Sequence, residues 1–149
     1  EKTMANYIEF LENAFLITKL YNYSTNQLTS ERKLKKVYPC ASSFCDADQT
    51  RVMETVVVTQ LHSQFFWSRG HEVDCIITNE KIIPVEIKYK SDISLKELKG
   101  MSIFMEKYST PQGIVANKDL EKKEKDLSFV PIWKLLLNQE LYFHRTKSK

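Results

Sequence analysis

The sequence predicts an α/β domain, a mixed sheet flanked by helices, and two observations carry the prediction. After residue 48 the hydrophobic patterning runs helix, three strands, helix, strand and a closing element, an order that builds a layered α/β core rather than a bundle or a sandwich. The 149 residues are 42% hydrophobic and 28% charged, which excludes global disorder and is enough for one ordinary domain with a real core. Three Gly and four Pro exclude collagen-like or linker material. No apolar run approaches the roughly 18 residues that span a bilayer and no signal peptide is visible, so no membrane partner is expected. The three cysteines form an odd set without a disulfide framework, and a cytoplasmic setting is expected. Because Glu1 opens inside a helical pattern, the chain reads as a fragment.

Taken in order, residues 4–17 place Met4, Tyr7, Ile8, Leu11 and Phe15 at helical spacing, with Glu9, Glu12 and Asn13 on the other side. An extended segment follows over 16–23, and 33–38 reads as a returning strand. Helix then hairpin is the layout of the last part of a winged helix, so 1–43 is predicted to be a winged-helix remnant and 44–149 the main domain. Arg32, Lys33, Lys35 and Lys36 would lie at the turn and on the returning strand, where they could contact phosphates. A solvated hairpin is the plainer reading. Residues 40–49 form a polar connector, and Asp48 is an N-cap for a helix over 50–63. The run Val56-Val57-Val58 would also suit a strand, but the length of the segment favours a buried helix. At 100° per residue Glu54 shares a face with Val57, Val58 and Leu61, unusual company for a carboxylate.

Strands are predicted at 65–68, 72–78 and 82–90, with Asn79-Glu80-Lys81 as the turn between the last two. A helix follows over 94–108, in which Gly100 costs about 1 kcal/mol relative to Ala. Residues 112–116 read as a strand and 119–126 as a charged surface segment. Residues 129–137 read as a strand, or a strand running into a helix. The 22 basic and 19 acidic residues leave a net charge of +3. The whole excess falls after residue 100, which permits nucleic-acid binding without demanding it.

The segment from His71 to Lys90 carries the chemistry. Alternation over 82–90 puts Val85, Ile87 and Tyr89 on one face and Pro84, Glu86, Lys88 and Lys90 on the other. If 79–81 is a three-residue loop, Thr78 opposes Ile82 and Asp74 opposes Glu86, with Cβ atoms about 4.5–5.5 Å apart. A one-residue slip, or a bulge at Pro84, would send Asp74 elsewhere. Two close carboxylates repel unless a cation lies between them, and hard oxygen ligands suit Mg²⁺ or Mn²⁺. The adjacent Lys88 ammonium could orient a water or stabilise charge on a scissile phosphate. A solvated cross-strand ion-pair ladder is the plain alternative.

Asp74, eleven intervening residues, then Glu86-Ile87-Lys88 resembles the PD-(D/E)XK signature of the restriction-endonuclease-like phosphodiesterases, which include the Holliday junction resolvases. The wider pattern, Trp67-x-Arg69-Gly70-x-Glu72-Val73-Asp74 and then Pro84-Val85-Glu86-Ile87-Lys88-Tyr89, is similar to the C-terminal nuclease-like module of archaeal and bacterial AAA+-type ATPases, where a winged helix precedes that module. The resemblance implies a restriction-endonuclease-like mixed sheet. It implies Asp74 and Glu86 as ligands of Mg²⁺ (or Mn²⁺), Lys88 as the catalytic lysine and Glu54 as an additional helix-borne acid at the metal. It further implies DNA as partner and substrate, an ATPase on a preceding part of the chain, and a homodimer. Arg69 and Lys90 join the hairpin cations as candidate DNA contacts. No Pro precedes Asp74, and no Gly-rich phosphate loop of the Gly-x4-Gly-Lys-Ser/Thr kind occurs, so a motor would have to lie elsewhere.

The expectation is therefore a Mg²⁺-dependent DNA endonuclease module. Its alternative is a catalytically inactive DNA-binding or regulatory module of an ATPase, since a fold does not establish an activity. A zinc site from Cys40, Cys45, His71 and Cys75 is a weaker rival. Cys40 and Cys45 lack the tight spacing of common zinc modules, and Cys75 points away from Asp74. The basic run from His144 to Lys149 reads as a frayed tail.

Overall fold

Side chains on both sides of residues 73–77 and 83–87 are buried, so a layer of structure is required on each face of the sheet they form. The computed structural model describes residues 2–26 and 35–143. Their elements are α1 (Lys2–Asn13), β1 (Ile17–Asn22), β2 (Lys35–Pro39), a 3₁₀ turn (Ser42–Phe44), α2 (Gln49–Gln60), β3 (Phe65–Ser68), β4 (Glu72–Thr78) and β5 (Ile82–Lys88). A second 3₁₀ turn (Leu95–Leu98) leads into α3 (Lys99–Tyr108), followed by β6 (Gly113–Asn117), β7 (Lys122–Glu124), β8 (Leu127–Pro131), α4 (Ile132–Leu137) and α5 (Gln139–Phe143). Arg32, Lys33 and the tail from residue 144 lie outside the described residues.

The eight strands form one mixed sheet in the order β2-β1-β3-β4-β5-β6-β8-β7. The pairs β1/β3, β5/β6 and β6/β8 are parallel and the remaining neighbours antiparallel. On one face Val57, Val58 and Leu61 of the α2 segment pack with Leu135 and Phe143 against Cys75, Ile77, Val85 and Ile87. On the other, Leu98, Met101 and Phe104 cover Trp67, Val73, Ile76 and Val115. The predicted α/β class and its sheet between helical layers are present.

Asp48 caps α2 as expected, its carboxylate accepting from the Thr50 and Arg51 amides at 2.9 and 3.2 Å. The helix stops short of residue 63 because His62 adopts a left-handed backbone, φ 50°, which ends helical hydrogen bonding. Residues 94–108 open as a 3₁₀ turn closed by a Ser94/Glu97 capping box before α3 begins. Gly100 then has a packing reason: a Cβ there would lie 2.1 Å from the Glu72 carbonyl oxygen, so glycine lets α3 approach the start of β4. The charged segment 119–126 contains the edge strand β7, and 129–137 is a strand running into a helix.

The hairpin expected to end a winged-helix remnant over 1–43 is the edge of this same sheet. β1 pairs in parallel with β3 through Tyr21 opposite Phe65 and Asn22 opposite Phe66, and Leu20 and Tyr38 belong to the α2-side core. The extra pairing gives the hairpin a buried face that an isolated two-stranded ribbon lacks.

Candidate metal centre

β4 and β5 pair in the register the three-residue turn predicts: Thr78 opposes Ile82, Ile77 Ile83, Ile76 Pro84 and Cys75 Val85. The ladder keeps its register through Pro84. The irregularity lies on the other side of β4, where Phe65 opposes Ile76 but Trp67 opposes Val73. Two residues of β4, Asp74 and Cys75, therefore face the single residue Phe66, the count of a β-bulge. Val73 and Ile76 both point to the α3-side core and Cys75 to the α2-side core, so the bulge breaks the alternation at Asp74.

The freed carboxylate reaches both neighbours. Asp74 Oδ2 accepts a 2.8 Å hydrogen bond from the Ile87 amide of β5, and Oδ1 lies 3.9 Å from the Lys36 ammonium of β2. Glu86, one residue before Ile87, is buried; its Oε1 accepts from Lys88 Nζ at 2.6 Å, and its Oε2 is buried with no partner. Burial, then the Glu54 charge, raises the Asp74 pKa, and the Ile87 amide, Lys88 and Lys36 offset this only in part. Burial, then Asp74, raises Glu86 against the pull of Lys88. For Lys88 burial works downward, but Glu86, Asp74 and Glu54 outweigh it and hold the ammonium above its usual pKa.

Glu54 sits across the α2 face of the same region. Its Oε1 accepts from the Tyr38 hydroxyl at 2.6 Å and lies 3.6 Å from Lys36. Burial, then the Glu54 charge, drives the Tyr38 pKa far above its usual value, so the phenol stays a donor. Lys36 also bonds Glu72 and stands 5.3 Å from the Phe66 ring centroid. Burial lowers its pKa, and the Glu72 hydrogen bond with Asp74 and Glu54 raises it further than burial lowers it. The acids thus form two halves joined by Asp74: Glu54 and Glu72 around Lys36, and Glu86 with Lys88.

Of the predicted residues, the structure brings together Glu54, Asp74, Glu86, Lys88 and Lys36, the last within the acidic cluster rather than on a phosphate-facing turn. Lys35 is exposed on β2 with its ammonium 5.1 Å from the Tyr21 ring. Arg69 is exposed beside Gly70, whose φ of 73° makes the β3–β4 turn. Lys90, past the end of β5, is bonded to Glu97. Tyr38 and Glu72 went unassigned in the sequence. The Lys36–Tyr38 alternation on one strand was the available signal for Tyr38, and the place of Glu72 two residues before Asp74 was the signal for Glu72. Among the described residues no three or more His, Cys, Asp or Glu side chains form a group that could hold a metal. Asp74 and Glu86 are the pair with chemistry that fits a hard cation: both are buried, and one oxygen of Glu86 is unpaired. The zinc candidates do not converge: Cys40 Sγ lies 3.5 Å from Thr18 Oγ1, Cys45 Sγ 3.9 Å from Thr55 Oγ1, Cys75 is in the core and His71 is exposed.

Residues 49–135, more than half of the chain, match the model of a domain of unknown function, DUF4143. The chain belongs to the DUF4143 family. The matched segment carries Glu54, Asp74, Glu86 and Lys88, while Lys36 and Tyr38 precede it. No curated protein and no solved structure matches the chain. No helix among the described residues is long and apolar enough to cross a membrane.

Proposed function

We propose that this chain is a Mg²⁺- or Mn²⁺-dependent DNA phosphodiesterase of restriction-endonuclease-like fold, acting as an endonuclease module associated with an ATPase. The observation that carries the reading is the buried, unpartnered Glu86 Oε2 on the carboxylate that already engages Lys88, beside the buried Asp74. Burying two adjacent carboxylates costs stability, and such perturbed groups cluster at functional sites. The resemblance of Asp74, Glu86, Ile87 and Lys88 to a nuclease signature supports the same reading.

In this reading Asp74 and Glu86 hold the divalent ion, which when bound supplies Lewis acidity toward a phosphate oxygen. The Ile87 amide fixes the Asp74 carboxylate in direction. Lys88 orients the attacking water and places positive charge where the scissile phosphate gains negative charge. Glu54, anchored by Tyr38, adds negative potential from the α2 side. Lys35, Arg69 and Lys90 supply phosphate contacts, and a homodimer would present two such sites to a branched substrate.

The test is cleavage of linear, supercoiled and branched DNA with Mg²⁺ or Mn²⁺. Lys88→Ala is expected to lower kcat by about 10²–10³-fold and Asp74→Ala to abolish metal-dependent cutting. A different observation favours an inactive DNA-binding module: Lys36 lies among Glu54, Glu72 and Asp74, so part of the acidic charge is neutralised without a metal. DNA retention without cutting in either metal, unchanged in both variants, would establish that reading instead.

A further inference from the structure

The charges of the cluster and the placing of its two ammonium groups together bear on whether it takes one cation or two. Glu54, Glu72, Asp74 and Glu86 face Lys36 and Lys88 and no other ion-pair partner among the described residues. With all six ionised, four negative charges meet two positive ones, and the remainder equals the charge of one divalent ion. The two ammonium groups are not equivalent. Lys88 comes from the same strand as its partner Glu86, so it belongs to the half-site whose carboxylate keeps a free oxygen. Lys36 arrives from β2, separated from β4 in the sheet by β1 and β3, and is held by Glu54 and Glu72 of the other half, by the joining Asp74 and by the Phe66 ring.

Two-metal phosphodiesterase sites place their ions about 3.5–4 Å apart. Asp74 is the carboxylate common to the two halves, and one of its oxygens lies 3.9 Å from the Lys36 ammonium. We infer that Lys36 is a fixed cation standing where a second metal would bind, so that the centre takes a single divalent ion between Asp74 and Glu86. This rests on the metal-centre reading above and adds its stoichiometry. Lys36 is a positioning residue in that scheme: it keeps the Asp74 carboxylate divided between the two halves and touches neither metal nor phosphate.

The experiment is titration of the full chain with Mn²⁺, read by calorimetry and by the loss of the free-ion electron spin resonance signal. The unaltered chain is expected to bind one Mn²⁺, with Asp74→Asn weakening it by at least about tenfold. Lys36→Ala is expected to bind two. Lys36→Gln, which keeps a donor for Glu72, is the second variant should the alanine lose its fold by circular dichroism, and it too is expected to bind two. Lys36→Ala combined with Glu72→Gln keeps the net charge of the cluster and is expected to return to one. A single Mn²⁺ in folded Lys36→Ala or Lys36→Gln, with the unaltered chain also binding one at Asp74, overturns the inference and leaves the metal centre standing. No Asp74-dependent Mn²⁺ in any of these proteins overturns both.

Discussion

Replacing Gly100 by alanine sets two effects of opposite sign against each other. In an exposed helix the substitution would stabilise by about 1 kcal/mol, because glycine loses more backbone freedom than alanine on folding. Here the new Cβ would meet the Glu72 carbonyl oxygen at 2.1 Å, with the Glu72 carbonyl carbon at 3.0 Å and its nitrogen at 3.2 Å. A carbon–oxygen contact relaxes at about 3.3 Å, so α3 and β4 must separate locally by about 1 Å. The obstacle is strand backbone, which cannot rotate away as a side-chain end would. Forced expansion of a packed site costs about 1–3 kcal/mol and wins over the propensity gain. The net expectation is a loss of about 1–2 kcal/mol in urea denaturation at unchanged m-value. Glu72 is the hydrogen-bond partner of Lys36, so Mn²⁺ affinity should shift as well. A Gly100→Ala protein as stable as the parent, or more so, would refute the claim that this close approach holds α3 against β4.

The raised pKa values of Asp74 and Glu86 make stability depend on pH in an uncommon direction. The unfolded groups ionise near 3.8 and 4.5 while the folded ones keep protons to about 6 and about 7, so the folded state binds more protons between roughly pH 4 and 7 and stability falls as pH rises through that window. Two units on one group are worth about 3 kcal/mol, and urea midpoints at pH 5 and pH 8 without metal should show the loss; equal midpoints would contradict it. Glu86→Gln removes the buried charge and is expected to raise the thermal midpoint at pH 8 while eliminating metal-dependent cleavage, the pattern of a group kept for chemistry at a cost in stability. Tyr38→Phe deletes the 2.6 Å donor to Glu54 and should cost about 1.5–3 kcal/mol in urea, with the loss retained at pH 8.

Local signals made most of the main domain legible. Asp48 announced α2, the alternation from Ile82 to Lys88 set the faces of β5, and the loop length at 79–81 set the β4–β5 register. The bulge at Asp74 was not legible, because it is defined against Phe66 of β3, and a strand's own alternation carries no record of its neighbour's count. Gly100 read as a local penalty because its reason, the Glu72 carbonyl, lies 28 positions away in the chain. Lys36 was visible as a basic residue but not as the partner of Glu54, Glu72 and Asp74. Those contacts exist only once β1 has paired with β3 and joined the hairpin to the edge of the sheet.

The docking of that hairpin bears on where the protein can be cut. A fragment trimmed to the span shared with the family, 49–135, would retain every acid of the cluster yet shed Lys36 and Tyr38, together with the Asp48 cap. Such a piece would keep four acids against Lys88 alone, an excess of negative charge prone to scavenge whatever cations the buffer offers. Metal counts obtained from it would describe the excised segment and not the native centre.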